Sequence, residues 1–128
     1  MTTLSVDTSG LVTSLALSLE DGRIFEIQGT EVGDTTSEVV NLLDSLCSQA
    51  SIAVENINQI ILGAGPGSFT GLRVGFALAK GLAFSLGIQV ATYSSIEAMV
   101  ESCNIKEGLL LACTLASRGK FFVMLGEK

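Results

Sequence analysis

A chain of 128 residues, 48% hydrophobic and 16% charged, can bury one core and is too short for two full domains. That composition excludes the disordered class, and the absence of histidine removes Ser-His-Asp and Cys-His catalysis and most zinc sites. The net charge of −6 is uneven, with nine acids against Arg23 alone up to Leu62 and four acids against six bases from Gly63 onward. No Lys/Arg cluster of the kind that neutralises phosphates is present, so unaided nucleic-acid binding is not expected.

Cys47, Cys103 and Cys113 are odd in number, widely spaced and set in apolar stretches. They read as buried thiols acting as small hydrophobes, in a reducing compartment. The N-terminus lacks the basic start and apolar core of a signal peptide, which predicts a cytoplasmic protein. The longest apolar run, Val74 to Leu86, is interrupted by Lys80 and falls short of the roughly 18–20 residues that span a bilayer.

In chain order, Thr3 to Ser9 reads as a strand, and Val12 to Leu19 alternates Leu15, Leu17 and Leu19 against smaller residues. Asp21-Gly22 signals a hairpin turn before Arg23 to Ile27, giving a three-strand antiparallel meander. The period then becomes helical. Thr35-Thr36-Ser37-Glu38 is a capping-box sequence, and Val39, Leu42, Leu43, Leu46 and Ala50 follow at helical spacing.

Gln59 to Leu62 reads as a short buried strand, followed by Gly63-Ala64-Gly65-Pro66-Gly67. A second helix runs from Thr70 to Leu86 and stops at Gly87. Gln89 to Tyr93 is a strand, Ser95 to Glu101 a short helix, and Leu109 to Leu115 with Phe121 to Leu125 a last hairpin. A meander followed by alternating helices and strands is an α/β class with a mixed sheet.

Three features could carry function. The glycine-rich stretch after a strand and before a helix resembles an anion site. It lacks the Gly-Lys-Ser/Thr of a P-loop, and Ser68 stands where a dinucleotide fingerprint has its third glycine. A tight turn that aims the next helix is the preferred reading. Asp7-Thr8-Ser9, at the end of the first strand, is a candidate phosphate site, although these residue types also commonly terminate strands. The third feature is the strip Gly71, Gly75, Ala79 and Ala83, repeating every four residues along the second helix.

Each helix-interior glycine costs about 1 kcal/mol relative to alanine, so something must require them. Small residues at this spacing let a second helix approach closely. With the rest of the helix apolar nearly all round, the strip is expected to face another protein. The expected interface combines Gly71, Arg73, Gly75, Ala79 and Lys80 with Val39, Leu42, Leu43 and Leu46 of the first helix.

Gly65-Pro66-Gly67-Ser68-Phe69-Thr70-Gly71-Leu72-Arg73, continued by Ala79-Lys80-Gly81-Leu82-Ala83 and Ser94-Ser95-Ile96-Glu97-Ala98, resembles the bacterial TsaB (YeaZ) family. The resemblance runs from Leu4 to about Val123. It implies an actin-like (ASKHA, ribonuclease-H-like) lobe over residues 1–103. Residues 104–128 would then be the opening hairpin of a second lobe that is otherwise missing. It further implies a non-catalytic subunit of the machinery that makes N6-threonylcarbamoyladenosine (t6A) on tRNA. Such a subunit needs no cofactor of its own. It binds a TsaD-like catalytic paralogue, with a TsaE-like ATPase joining, and forms a homodimer when alone. The partner contact falls on the first two helices.

Two motifs depart from the family. Thr36-Ser37-Glu38 stands for His-Ser-Glu, and Leu115-Ala116-Ser117 for Asp-Ala-Arg. The rival reading is a small actin-like ATP-binding protein or ATPase using Asp7 and the glycine loop. A peptidase comes third, for want of catalytic groups.

Overall fold

Alternation of apolar and small polar residues builds a sheet with one covered face. In the computed structural model, which describes residues 1–30, 35–116 and 118–127, the strands are β1 (Thr3–Asp7), β2 (Ser14–Ser18), β3 (Ile24–Gln28), β4 (Gln59–Gly63) and β5 (Gln89–Tyr93). Their order is β3-β2-β1-β4-β5. The meander pairs antiparallel, with Leu4 opposite Leu17 and Leu15 opposite Ile27, while β1, β4 and β5 run parallel. The turn at Asp21-Gly22 forms as expected, closed by the Leu19 N–H donating to the Arg23 carbonyl at 2.9 Å.

Two helices lie on the same face, α1 (Thr35–Ala50) over β2 and β3 and α2 (Phe69–Leu86) over β1, β4 and β5. The chain steps from β1 to β4 to β5 in one direction across the sheet, and crossovers of one hand then put both helices on one face. Leu4, Val6, Leu15, Leu17, Ile60 and Leu62 from the sheet meet Val39, Leu43 and Leu46 of α1 in one core. Leu46 is wholly buried, which stabilises by about 1.5–3 kcal/mol for such a side chain. The other sheet face carries Ser5, Asp7, Ser14, Ala16 and Tyr93, all half-buried.

Caps explain the helix ends. Ser68 accepts from the Gly71 N–H at 3.1 Å to start α2, and Gly87 stops it in the left-handed conformation at φ 66°. Ser94 starts α3 (Ser95–Ser102) in the same way through the Glu97 N–H. The capping role expected of Thr35 lies outside the described residues. Glu38 accepts from the Thr30 N–H at 2.8 Å. One turn of 3₁₀ helix, Val54–Asn56, was not foreseen; the Asn56 side chain accepts from the Ala53 N–H and holds it.

The last strands, β6 (Leu109–Leu115) and β7 (Phe121–Glu127), form a separate two-stranded sheet whose inner face rests on α3. Two expectations fail here and in α2. Cys113 is exposed on this hairpin rather than buried, because alternation along β6 points it away from α3; Cys47 is buried as expected. α2 begins at Phe69, five residues before the run counted from Val74. Its 18 residues, of mean hydropathy 1.2, are therefore long and apolar enough to cross a membrane by length and composition. Its small-residue face, Gly71, Gly75 and Ala79, is packed on the sheet.

Candidate functional site

The parallel strands β1, β4 and β5 end together, and the loops leaving those ends are where sheets of this kind gather ligands. Val6 pairs with Leu62 and Gly63 with Tyr93, so Asp7, Gly63 and Tyr93 sit side by side at this edge. Asp7 Oδ1 accepts from the Ser9 N–H at 2.8 Å and the Ser9 hydroxyl at 2.6 Å. Its Oδ2 accepts from the Tyr93 hydroxyl at 3.1 Å. A side chain at Gly63 would strike Asp7 Oδ2, so glycine is required beside the carboxylate.

Burial, then the Asp7 charge and its hydrogen bond, push the Tyr93 hydroxyl up to about 12. Tyr93 therefore stays protonated as the donor over the ordinary pH range. The cluster is an ordered carboxylate holding a loop and a neighbouring strand.

The residues singled out for phosphate binding are brought together, but their hydroxyls are committed to the fold. The Thr8 hydroxyl, buried, donates to the Gly71 carbonyl at 2.6 Å, and that of Ser9 donates to Asp7. The Ser9 carbonyl accepts from the Ser68 N–H at 2.8 Å. The glycine loop is thereby drawn onto β1: a side chain at Gly67 would strike the Ser9 carbonyl. Among the described residues no group of three His, Cys, Asp or Glu could hold a metal ion.

The small-residue strip is a correction. Gly71, Gly75 and Ala79 are buried inside the chain, not presented to another protein. The reason is steric. A Cβ at Gly71 would collide with the Thr8 carbonyl, and one at Gly75 with Thr8 Oγ1 and, at 3.3 Å, Leu62 Cδ1. The close approach that the glycines permit is to the end of β1. Val39, Leu43 and Leu46 are likewise buried core, and Leu42 packs against it. Of the expected interface, Arg73 and Lys80 alone are exposed.

What α1 and α2 do present is their other flank. Between them opens a cavity of about 630 Å³, lined by Val39, Val40, Val74, Phe76, Ala77 and Leu78, with Arg73 and Lys80 at its edge. Val40 is exposed on it. A second cleft, of about 790 Å³, separates the N-terminus of α2 from the hairpin, with Leu11 and Phe69 exposed on its walls. Arg73 lies 5.6 Å from the centre of the Phe69 ring, a cation–π contact at the surface.

Residues 34–128 match the model of the family described as TsaD, tRNA N6-adenosine threonylcarbamoyltransferase. The TsaB protein of Bacillus subtilis, named for tRNA threonylcarbamoyladenosine biosynthesis, is 33% identical over 98% of this chain and 55% of its own length. That of Haemophilus influenzae is 32% identical over 80% of this chain and 43% of its own. The structure of YeaZ from Pseudomonas aeruginosa superposes with a TM-score of 0.79 at 26% identity, covering 99% of this chain and 66% of that one.

The chain belongs to the TsaD/TsaB (YeaZ) family. Its fold is shared with the YeaZ structure, and its mixed sheet with helices is the actin-like lobe that the resemblance implied. The chain spans about half the length of the curated TsaB relatives it matches. Sequence reasoning found the family motif around Gly65 to Arg73 but missed the Tyr93–Asp7 hydrogen bond. Those residues stand 86 positions apart and only the parallel register joins them.

Proposed function

We propose that this chain is a non-catalytic, cytoplasmic subunit of a bacterial t6A machinery. In this reading it binds a TsaD-type catalytic paralogue through the outer flank of α1 and α2, and a TsaE-type ATPase joins that pair. Residues 1–103 are the binding lobe, and 104–128 the opening hairpin of a second lobe. The observation that carries this reading is the groove between the two helices. It offers Val40, Phe76 and Ala77 to solvent or half so, beside two unburied cations.

Apolar centre and charged edge are the anatomy of a protein interface. The committed hydroxyls of Thr8 and Ser9 support a scaffold rather than an ATPase. An acidic chain, with an isoelectric point near 4.4, leaves tRNA contact to the partner.

The test is co-purification with the TsaD-type protein of the same cell. Phe76→Asp should abolish the complex, and Lys80→Glu should weaken it and change its salt dependence. Both variants should keep the native far-UV spectrum. A complex that survives Phe76→Asp, or ATP turnover by the purified chain that Asp7→Ala removes, overturns the proposal.

A further inference from the structure

The chain itself explains two of the three glycines inside α2: Gly71 and Gly75 make room for Thr8. Gly81 has no such reason. It stands inside the helix, well short of the Gly87 cap, where glycine is the poorest helix former after proline. A Cβ built on it meets nothing within 4 Å, so no contact within the chain calls for its absence.

At 3.6 residues per turn, Gly81 shares one arc of α2 with Arg73, Ala77, Lys80 and Phe84, opposite the buried face of Gly71, Gly75 and Ala79. All five are exposed, Phe84 by 93%. The helix holds no Asp or Glu. Among the described residues the ion pairs are Met1 with Glu20 and Arg23 with Asp21, so neither Arg73 nor Lys80 meets a carboxylate. In a chain of net charge −6, this face bears positive charge alone. Phe84 lies about 22 Å along the axis from Phe69, which lines the cleft beside the terminal hairpin, so the face is set apart from that hairpin.

We infer that the partner proposed above lays an α-helix across α2 at Gly81, with carboxylates facing Arg73 and Lys80 and an apolar hollow receiving Phe84. The inference rests on that partner reading and adds where the contact is closest and what chemistry meets it.

A missing side chain lets a second helix come nearer than the usual ~8–10 Å between axes. That approach is what glycine at 81 permits and a side chain there would prevent. An aromatic ring held out in water anchors an interface when a pocket takes it. Two cations two turns apart, without carboxylates of their own, set the sign of the surface that answers them. It is acidic. A second copy meeting this face with its own would set Lys80 near Lys80, and no acid on α2 relieves that repulsion.

Calorimetric titration of the chain against the TsaD-type protein of the same cell tests this. Gly81→Ala should raise the urea midpoint of the chain alone and yet weaken the complex. Gly81→Leu should weaken the complex roughly tenfold or more, and Phe84→Ala about tenfold. A residue that served only the fold could not gain stability and lose affinity together. Arg73→Gln with Lys80→Gln should slow association and flatten its salt dependence. A complex that Phe76→Asp abolishes while Gly81→Leu and Phe84→Ala leave it unchanged overturns this inference and keeps the partner reading. A salt dependence indifferent to the double glutamine variant overturns it likewise. No complex with the native chain overturns both readings.

Discussion

Thr8 stands where the side chain of residue 75 would be: a Cβ on Gly75 would collide with Thr8 Oγ1, the same atom that donates to the Gly71 carbonyl at 2.6 Å. One buried hydroxyl thus fixes how closely α2 lies on the end of β1, and the glycines are what its position demands. Gly75→Ala should destabilise the chain by about 1–3 kcal/mol through overpacking, despite alanine's better helix propensity. Thr8→Ala should cost about 1 kcal/mol for the lost hydrogen bond.

Together they should cost at least about 0.5 kcal/mol less than their sum, because removing Oγ1 opens the space that the new methyl needs. Urea titrations of the four proteins, compared at constant m-value, check this. Strict additivity would sink the account. The bulkier Gly75→Leu should fail to fold, rather than give a folded protein with a weakened interface.

Gly81, on the same helix, is the contrasting case. Nothing lies within 4 Å of a Cβ built there, and its backbone is helical. Gly81→Ala should therefore stabilise by roughly 0.5–1 kcal/mol, from helix propensity alone. A raised urea midpoint with unchanged m-value is the expected result; a lowered one would mean that the open space is not real.

These two glycines show how far the residues alone could be read. Periodicity placed eight of the strands and helices to within a few residues, since alternation and helical spacing are local signals, and the two strands of the terminal hairpin followed likewise. The four-residue recurrence of Gly71, Gly75 and Ala79 announced a close approach correctly. What it approached was not legible. The partner, Thr8, lies 63 positions from Gly71 and arrives only through the parallel pairing of β1 with β4.

The same holds for Val39 and Leu46, whose spacing defines an apolar stripe without saying whether a sheet or another chain covers it. Arg73 and Lys80, charged and so excluded from the core, were legible as surface.

Charge gives a prediction about nucleic acid. With an excess of acids up to Leu62 and only scattered bases beyond, the isolated chain should not retain tRNA on a filter at physiological salt. Adding the TsaD-type partner should confer any retention that is seen. Salt-sensitive micromolar binding by the chain alone would count against the division of labour proposed here.

Tyr93 offers a titration that reports on the strand-end cluster directly. It is the one tyrosine in a chain without tryptophan, so ultraviolet absorbance in alkali follows this hydroxyl alone. Burial, the Asp7 charge and the hydrogen bond to Asp7 raise it from the ordinary 10.0 to about 12. A raised folded value means that the folded chain holds the proton after the unfolded chain has lost it. The resulting stability is complete below pH 10.0 and is lost as pH climbs toward 12.

The native absorbance midpoint should accordingly lie well above that of the chain in urea. Asp7→Asn, which removes the charge and keeps the shape, should bring it down. Tyr93→Phe should remove this tyrosine's share of the alkaline loss of stability, leaving what lysines contribute. A native midpoint equal to the unfolded one, or one indifferent to Asp7→Asn, would show that Tyr93 and Asp7 do not meet across the ends of β1 and β5.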